Sequence, residues 1–562
     1  MKTRILLTVA VTSALLVGCD QGGSDSPSVN NSTTVSPVRG IERGDLREPD
    51  LNNDFLLYRS LDGSNNNRLL TDMNTSHSQL ARMVSPDYAD LVAAPSGATR
   101  PSARAISNQI AAQSGSHPNG RRASDFLWQW GQFLDHDLDL TDGVAPAESA
   151  NISVPMGDPW FDPDHTGTVE IPLNRSIFDE ATGDHVLNPR QQINEITGWI
   201  DASNVYGSDA SRARALRNMD GTGMLATSAG DLLPYNLAGL ANAGGSGPEL
   251  FLAGDVRANE QVGLAVMHTL FVREHNRLAR DIATSDPSLT GEQIYQRARR
   301  IVGAQMQVIT YREFLPVLLG EGALKSYAGY DETVDASVSN IFSSAAYRLG
   351  HSMLSDKIRR LDAQSNKIHE GHLELQDAFF RPDRIVTEGG IEPVLRGLAG
   401  QICESIDAQV VDDVRNALFG APGAGGCDLA ALNIQRGRDH GLPSYNETRR
   451  QLGLSMYGSL SEITANPALA DALSAVYGSV DQIDLWVGGL AETPTGQSAL
   501  GPLFHTIVVD QFERLRDGDR FWYQNTFFGD ELAMIESTTL ADIIRRNTGI
   551  GPEISDNVFV DP

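Results

Sequence analysis

Apolar residues recur every three or four positions in five long segments of the chain, which is the spacing of one face of an amphipathic α-helix. These segments are 125–138, 261–282, 291–312, 391–398 and 410–419. Stretches of alternating apolar and polar residues, which indicate strands, are few and short. Loops rich in Pro and Gly separate the helical segments. The pattern therefore predicts a mainly α fold.

The N-terminus has the pattern of an export signal. Lys2 and Arg4 precede an apolar run over 5–17, which is too short to span a membrane. Residues 16–19 (LVGC) resemble the bacterial lipoprotein box, which implies a lipoprotein signal peptide over 1–18 and a lipid on Cys19. The alternative is an ordinary secretory signal. Both interpretations predict an exported chain, either anchored to the cell envelope by the lipid or released.

Composition divides the rest of the chain into two parts. Residues 19–45 are rich in Ser, Asn, Gly, Pro and Thr, which predicts a flexible tether. No comparable linker or repeat follows, so residues 46–562 are expected to form one large domain. The net charge of −28 argues against a nucleic-acid partner, because binding phosphates requires clustered Lys and Arg.

The cysteines are few enough to assign. With Cys19 given to the lipid, only Cys403 and Cys427 remain. An exported chain meets an oxidising compartment, in which thiols can pair. We therefore expect a Cys403–Cys427 disulfide that closes a loop of about 25 residues.

One predicted helix carries polar residues that need an explanation. Gln132 and His136 are four positions apart and so share a helix face. Asp135 and Asp137 flank His136 within an apolar segment, where burying such a triplet is unfavourable unless it binds something. The pattern favours a metal site over the alternative of a solvated helix end.

The segment 130–139 (WGQFLDHDLD) resembles the distal-haem segment of animal-type haem peroxidases, the superfamily of myeloperoxidase, peroxidasin and the cyclooxygenases. Four further segments match in the family's order: TGWIDASNVYGS at 197–208, FLAGDVR at 251–257, RLGH at 348–351 and ALNIQRGRDHGLP at 431–443. The similarity covers roughly residues 50–555. It implies one large helical domain with haem b between central helices, which agrees with the helical periodicity.

On the distal side, the resemblance implies three catalytic residues. His136 matches the acid–base histidine, which takes a proton from peroxide and returns it to the leaving oxygen. Arg257 matches the arginine that stabilises the charge developing as the O–O bond breaks. Gln132 matches a residue that orients the distal water or donor.

On the proximal side, His351 matches the iron ligand and Asn433 its hydrogen-bond partner, which accepts the Nδ1 proton. Arg348 and Arg436 match positions that meet the haem propionates. Spacing alone does not select His351, because other histidines are equally eligible: His268, His275, His372 and His440.

A calcium site also follows from the resemblance. Its ligands are side chains and one carbonyl, all offering oxygen, as calcium prefers: Asp137, Thr197, the carbonyl of Trp199, Asp201 and Ser203. The alternative is that the acidic and hydroxyl side chains only cap a turn.

Asp135 and Glu260 match the two carboxylates that form esters with haem methyl groups in this family. Gln261 follows Glu260, whereas myeloperoxidase has a Met there whose sulfur bonds a haem vinyl group. We therefore expect two esters and no sulfonium bond. The alternative is that Asp135 only ends its helix and Glu260 pairs with Arg257.

The implied function is reduction of hydrogen peroxide and oxidation of a small anionic or phenolic donor (halide, thiocyanate or phenol) through a ferryl intermediate. One alternative is a fatty-acid dioxygenase or cyclooxygenase-like enzyme, which carries a radical-forming Tyr three residues before the proximal His. Here that position is Arg348, and Tyr347 lies one residue further back, predicted on another helix face. A haem-bearing adhesion or matrix protein is the third candidate. The sequence names neither the donor nor the oligomeric state.

Overall fold

A computed structural model describes residues 58–422 and 426–561 of the chain. The predicted signal peptide, the tether and Cys19 lie outside these residues. Within the described ranges, no helix is both long and apolar enough to cross a membrane.

The fold is mainly α, as predicted, with eighteen α-helices in the described part of the chain. They are α1 Ala103–Ile106, α2 Phe126–Leu138, α3 Ser203–Tyr206, α4 Ala210–Ala215, α5 Val262–Ser285, α6 Gly291–Ile309, α7 Leu315–Leu319, α8 Asp383–Thr387, α9 Glu392–Ala399, α10 Asp412–Arg415, α11 Leu429–Asp439, α12 Tyr445–Gln451, α13 Pro467–Tyr477, α14 Leu485–Ala491, α15 Pro502–Asp517, α16 Tyr523–Thr526, α17 Gly529–Glu536 and α18 Leu540–Asn547.

Strands are short and pair locally. Six two-residue strands form three antiparallel pairs: β1 Ser78–Gln79 with β4 Ile193–Asn194, β2 Ile152–Ser153 with β3 Glu170–Ile171, and β5 Lys357–Ile358 with β6 Leu373–Glu374. These pairs fasten loops to one another and form no central sheet. The helices therefore supply the core.

Three helices form the centre of the molecule. The long helix α5 packs against both α6 and α2. Helix α6 begins with a capping box in which Thr290 and Gln293 satisfy each other's backbone N–H groups. Between α2 and α5, the ring of Phe133 stacks on that of Phe271 at 5.1 Å. This packing fixes the orientation of α2, which carries His136.

The segment that carries His351 is irregular. A π-helical turn, Phe342–Ala346, continues directly into a 3₁₀ helix, Tyr347–Met353. Departures from α geometry of this kind are frequent at functional sites. They change which side chains share a face, so α-helical spacing does not describe this segment.

Four of the five predicted helical segments correspond to α2, α5, α6 and α9, with ends that differ by a few residues. The fifth prediction, 410–419, is largely wrong, because only α10 is helical there. The backbone of Val410 pairs with Ala112 and that of Leu418 with Cys427. These bridges hold both ends of the segment extended, and tertiary pairing overrides the apolar periodicity.

Candidate active site

One cavity collects the residues predicted to act on peroxide and to hold haem. It lies between α2, the chain just before α5, the 3₁₀ segment Tyr347–Met353 and α11, and encloses about 1310 Å³ of space free of protein atoms, including its part open to solvent. Its walls contain all nine predicted residues: Gln132, Asp135, His136, Arg257, Glu260, Arg348, His351, Asn433 and Arg436. Residues about three hundred positions apart thus share one chamber.

His136 projects from the last turn of α2 and is buried. Its Nδ1 lies 3.5 Å from Oδ1 of Asp255, too far for a good hydrogen bond. Burial, helped by the positive charge of Arg257, holds the pKa of His136 well below its ordinary value. The imidazole is therefore neutral at neutral pH and able to accept a proton.

Arg257 is held rigidly beside His136. Its Nε and Nη2 donate to the two carboxylate oxygens of Asp255, each at 2.9 Å, and Nη2 also donates to the carbonyl of Asp139 at 2.9 Å. Burial acts to lower the pKa of Arg257, but the Asp255 carboxylate outweighs it and raises the pKa. Arg257 therefore places a permanent cation in the distal wall. Because its side chain is already ordered, it needs no further ordering when charge develops nearby.

Asp255 was not assigned by the sequence, although it lies two residues before Arg257 in a matched segment. It contacts both His136 and Arg257. Burial acts to raise its pKa, but the Arg257 charge holds it well below the usual range. The sequence did contain a signal for Asp255. It lies two positions before Arg257, a spacing that allows its carboxylate to pair with the guanidinium group.

The amide of Gln132 lies in a small network at the cavity wall. Gln261 Nε2 donates to Gln132 Oε1 at 3.0 Å and to Gln129 Oε1 at 2.7 Å. Gln132 Nε2 approaches a Glu260 carboxylate oxygen at 3.4 Å. Gln261 therefore positions Gln132 and also caps α5 through its side chain.

The two predicted ester-forming carboxyl groups both line the cavity. Asp135 Oδ2 lies 3.8 Å from Arg257 Nη1, a long ion pair. Burial, reinforced by the neighbouring Asp139, raises the pKa of Asp135 well above its ordinary value. Burial also raises the pKa of Glu260 to about 7, although Arg257 acts in the opposite direction.

His351, in the 3₁₀ segment Tyr347–Met353, lines the same cavity and has one polar partner. The side-chain Nδ2 of Asn433, on α11, lies 2.7 Å from His351 Nδ1. Burial, helped by Arg348, lowers the pKa of His351 to about 3. The ring is thus a neutral imidazole, the form that binds a metal ion.

The Asn433 amide bears on which nitrogen of His351 is free. Its Oδ1 is buried and has no hydrogen-bond partner. Rotating the amide by half a turn brings Oδ1 to His351 Nδ1, which then donates its proton to that oxygen. His351 Nε2 is then left with a free lone pair.

The predicted propionate-binding arginines, Arg348 and Arg436, line the same cavity as His351. Arg348 Nε donates to the carbonyl of Ser343 at 2.9 Å, and Arg436 Nη1 donates to Ser176 Oγ at 2.6 Å. Burial lowers the pKa of Arg436 to about 10, so it keeps its charge at neutral pH. Two cations are thus available to anionic groups in the cavity.

Tyr347 also lines the cavity, contrary to the prediction that it lies on another face. The 3₁₀ geometry of Tyr347–Met353 is the reason, since that prediction assumed α-helical spacing. Its position next to Arg348 does not by itself separate a peroxidase from an oxygenase.

The five predicted calcium ligands belong to two adjacent segments. Asp137 Oδ2 accepts from the backbone N–H groups of Asp201 and Ala202, each at 3.0 Å, and its Oδ1 accepts from Ser203 Oγ at 2.8 Å. Thr197 Oγ1 donates to Asp201 Oδ2 at 3.1 Å. The side chains of the predicted set are thus in mutual contact.

Asp137 and Asp201 are buried. Burial, followed by the charge of Asp201, raises the pKa of Asp137 to about 7, and burial raises that of Asp201. Within the described residues no group of three or more His, Cys, Asp or Glu side chains is placed to hold a metal ion. A cation here would therefore depend on hydroxyl and carbonyl oxygens as well as the two acids, among them the carbonyl of the buried Trp199.

Comparison with known proteins gives the family. The sequence profile described as animal haem peroxidase matches residues 58–559. Human eosinophil peroxidase is 39% identical, covering 89% of this chain and 76% of the relative. Peroxinectin A of Dictyostelium discoideum is 36% identical, covering 89% of this chain and 95% of the relative.

The chain belongs to the animal haem peroxidase family.

Solved structures agree with this membership. Peroxidase A from Dictyostelium discoideum superposes with a TM-score of 0.82 at 35% identity, covering 90% of this chain and 99% of that one. A fatty acid alpha-dioxygenase from Oryza sativa superposes with a TM-score of 0.75 at 21% identity, covering 90% of this chain and 87% of that one. At that identity the second likeness shows the fold alone. The predicted family, the helical fold and the assignment to peroxidase enzymes are confirmed.

Three of the four other histidines that spacing alone could nominate are buried in the core of the fold. His275 is hydrogen-bonded to Tyr206 and to the Gly223 carbonyl, and His440 is hydrogen-bonded to Ser176 and Ser344. His268 is buried against the ring of Phe133. None of the three lines the cavity that contains His136 and His351.

The predicted Cys403–Cys427 disulfide is wrong. Cys403 is a buried free thiol. Backbone hydrogen bonds hold Cys403 beside Asn119 and Ala123, whereas Cys427 pairs with Leu418. The two cysteines thus belong to different local pairings, which loop length and compartment do not reveal.

Proposed function

We propose that this chain is a haem peroxidase that reduces hydrogen peroxide and oxidises a small donor. The observation that carries the proposal is that a neutral His136, beside the fixed cation Arg257, faces the same cavity as His351 with its Asn433 partner. Family membership supports the same activity.

The residues fit haem b. The orphaned Asn433 Oδ1 gives the partner that a metal-binding His351 requires. His351 would hold the iron, and Arg348 and Arg436 would hold the propionates. When bound, the haem would supply the iron centre that takes up the two oxidising equivalents of peroxide.

The distal residues would handle protons and charge. His136 would accept a proton from one oxygen of hydrogen peroxide and return that proton to the other oxygen, which leaves as water. Arg257 would stabilise negative charge on the departing oxygen. Asp255 would keep both groups in position, and Gln132 would orient the water or donor near them.

The arginines of the cavity support a small anionic or phenolic donor. Halide, thiocyanate and small phenols are compact, and Arg257, Arg348 and Arg436 give the walls a positive contribution. Purified holoenzyme should oxidise at least one of bromide, iodide, thiocyanate and a phenol in a peroxide-dependent steady-state assay. Failure with all four, in protein with a full haem complement, would contradict the proposal.

A fatty-acid dioxygenase is the second candidate, because Tyr347 lies in the cavity wall. Oxygen-electrode measurements with palmitic acid address it directly. We expect no oxygen uptake in the absence of peroxide. Uptake that is abolished in Tyr347→Phe would favour the oxygenase.

The calcium proposal rests on the contacts between Asp137, Thr197, Asp201 and Ser203. Two buried carboxylates with raised pKa values gain from a divalent cation, which would fix the end of α2 next to His136. Elemental analysis of active enzyme should give one calcium per chain.

Ester links between haem and both Asp135 and Glu260 are also proposed. Their support is that both carboxyl groups line the cavity, while Arg257 takes Asp255 as its close carboxylate partner. Gln261 offers no sulfur, so a sulfonium bond is not expected.

The N-terminal proposal is export with lipid attachment at Cys19. It rests on the sequence pattern of residues 1–19. Labelling cells with a radioactive fatty acid should label the wild-type chain and not Cys19→Ser. Labelling of both would contradict it.

A further inference from the structure

A chain of aromatic rings begins at the wall of the candidate haem cavity. Tyr347, which lines that cavity, stacks on Phe342 with ring centroids 4.6 Å apart. Both rings contact Phe512 on α15, at 5.9 Å from Tyr347 and 5.8 Å from Phe342. The contacts lead away from the cavity into the core.

The series of aromatic rings continues, and no distance between successive ring centroids exceeds 5.9 Å. Phe512 lies 5.9 Å from Tyr311, and Tyr311 lies 4.7 Å from Trp522. Trp522 in turn lies 5.8 Å from Tyr327. Electron transfer through protein weakens steeply with distance, and Tyr and Trp are the most easily oxidised aromatic side chains. Short steps between such rings therefore suit electron transfer, with Phe512 as a bridge between Tyr311 and Tyr347.

The last rings of this series line a second cavity. This cavity, called the Trp522 cavity below, is lined by Tyr311, Tyr327, Arg516 and Trp522 and encloses about 690 Å³, including its part open to solvent. Its rim carries the exposed Glu321 and Gly322. It shares no lining residue with the haem cavity.

The Trp522 cavity contains polar groups that lack partners. Arg516 is 5% exposed, and its Nε donates to Asp517 at 2.7 Å and its Nη1 to the Lys325 carbonyl at 2.6 Å. Its Nη2 is buried without a hydrogen-bond partner, as is the hydroxyl of Tyr327. Buried donors are nearly always satisfied, so their pairing with a ligand oxygen is favoured. Aromatic walls with such donors suit a phenol that also carries an oxygen acceptor.

We propose that the Trp522 cavity is a second donor-oxidation site, which takes phenol groups carried on molecules too large to enter the haem cavity and passes their electrons inward through Trp522, Tyr311, Phe512 and Tyr347. This inference rests on the proposed peroxidase function, which supplies the oxidant. It differs from that function in where the donor binds.

The reaction balances with hydrogen peroxide as the oxidant. Each turnover takes two phenol molecules in succession, and each gives one electron to the ring chain and its hydroxyl proton to water. Hydrogen peroxide takes up two electrons and two protons as its O–O bond breaks, leaving two water molecules. The products at the Trp522 cavity are two phenoxyl radicals.

The test compares two donors with the same reactive group. N-acetyltyramine is small, whereas tyramine linked through an amide to dextran is too large to enter the haem cavity. In holoenzyme, Trp522→Phe should lower kcat/KM for the dextran-linked phenol by about tenfold or more and change that for N-acetyltyramine by less than about twofold. Trp160→Phe is the matched control, because Trp160 is 46% exposed and takes no part in the ring contacts between Tyr347 and Tyr327.

A second variant breaks the path in the middle. Tyr311→Phe keeps the ring and removes the oxidisable phenol, so it should give the same selective loss. If Trp522→Phe fails to fold, as judged by circular dichroism, Tyr311→Phe alone decides the question. Wild-type turnover of the dextran-linked phenol in a folded variant overturns the proposal.

A readout independent of donor turnover comes from radical trapping. Holoenzyme treated with peroxide and 2-methyl-2-nitrosopropane, without donor, should carry the adduct on Trp522 or Tyr327 by peptide mass spectrometry. Tyr311→Phe should lose that adduct although Trp522 and Tyr327 are still present, and an unchanged adduct level overturns the path. Loss of N-acetyltyramine oxidation in the wild type would instead contradict the proposed peroxidase function itself.

Discussion

The distal and proximal walls of the cavity treat their histidines differently. His136 lies among charges, with Arg257 and Asp255 in its immediate surroundings, whereas His351 has a single close polar partner in the neutral amide of Asn433. Burial lowers the pKa of both rings. The difference therefore lies in what surrounds two neutral imidazoles.

Each environment suits a different task. Moving a proton near developing charge requires fixed ions close by, and Asp255 supplies the anchor for the distal cation. Binding a metal requires only a free lone pair and a fixed ring orientation, which one amide can provide. The comparison predicts that the two walls fail in different ways when altered.

Removing the proximal histidine should have the largest effect. His351→Ala deletes the proposed protein bond to iron, so we expect purified protein with little or no haem, measured by the Soret band and by pyridine haemochrome. The exposed His369→Ala is the matched control and should keep a full haem complement. A Soret band of wild-type intensity in His351→Ala would remove it as the ligand.

Removing the distal histidine should separate chemistry from haem binding. His136→Ala should retain haem and react with peroxide about 10²-fold or more slowly, the scale of general acid–base catalysis. Stopped-flow absorbance after mixing with peroxide measures the rate. An unaltered rate would contradict the acid–base role.

The sequence predicted the distal residues that face the cavity better than the residue that holds them in position. His136 and Gln132 follow from helical spacing plus a family motif, and α2 forms as that spacing predicts. Asp255 went unassigned, because its role depends on bringing α2 next to the chain before α5. His351 could be found only by resemblance, since its segment is 3₁₀ and other buried histidines are equally eligible by spacing.

Tertiary pairing explains the wrong predictions. The periodicity at 410–419 favours a helix, but backbone bridges at Val410 and Leu418 hold its ends extended. The same bridge pairs Cys427 with Leu418, and other hydrogen bonds hold Cys403 elsewhere. Long-range backbone pairing of this kind leaves no mark on local composition or on cysteine count.

Calcium removal should weaken the distal wall more than the proximal one. Asp137 and Asp201 would be left as buried, unneutralised neighbours, a loss on the order of 3–5 kcal/mol in the free energy of unfolding. Thermal unfolding with and without a chelator measures it. Asp137→Asn should abolish the chelator's effect, and active enzyme without calcium would end the proposal.

Covalent attachment of haem should involve the distal wall and not the proximal one. Asp135 and Glu260 belong to the distal side and offer carboxylates, while the proximal residues in the cavity offer none. After mild peroxide treatment, acid–acetone extraction should leave haem on the wild type and remove it from the Asp135→Asn, Glu260→Gln double variant. Complete extraction from the wild type would contradict the esters.

The smallest expected effect concerns the charge of Glu260 before any ester forms. Burial raises the pKa of Glu260 to about 7 in the folded chain, above the value of about 4.3 for an unfolded chain. Ionising this carboxyl in the folded state is therefore unfavourable. The resulting loss of stability is absent below about pH 4.3, grows as the pH rises and is complete above about pH 7.

Glu260→Gln removes that loss and should thus stabilise the chain more at pH 8 than at pH 5. The side chain is partly exposed to the cavity, so solvent screening keeps the difference on the order of 1 kcal/mol. Urea unfolding at both pH values, on protein never exposed to peroxide, measures it. An effect that is equal at the two pH values, or larger at pH 5, would mean that Glu260 is ionised in the folded chain throughout, and the distal wall would then carry one more negative charge than we infer.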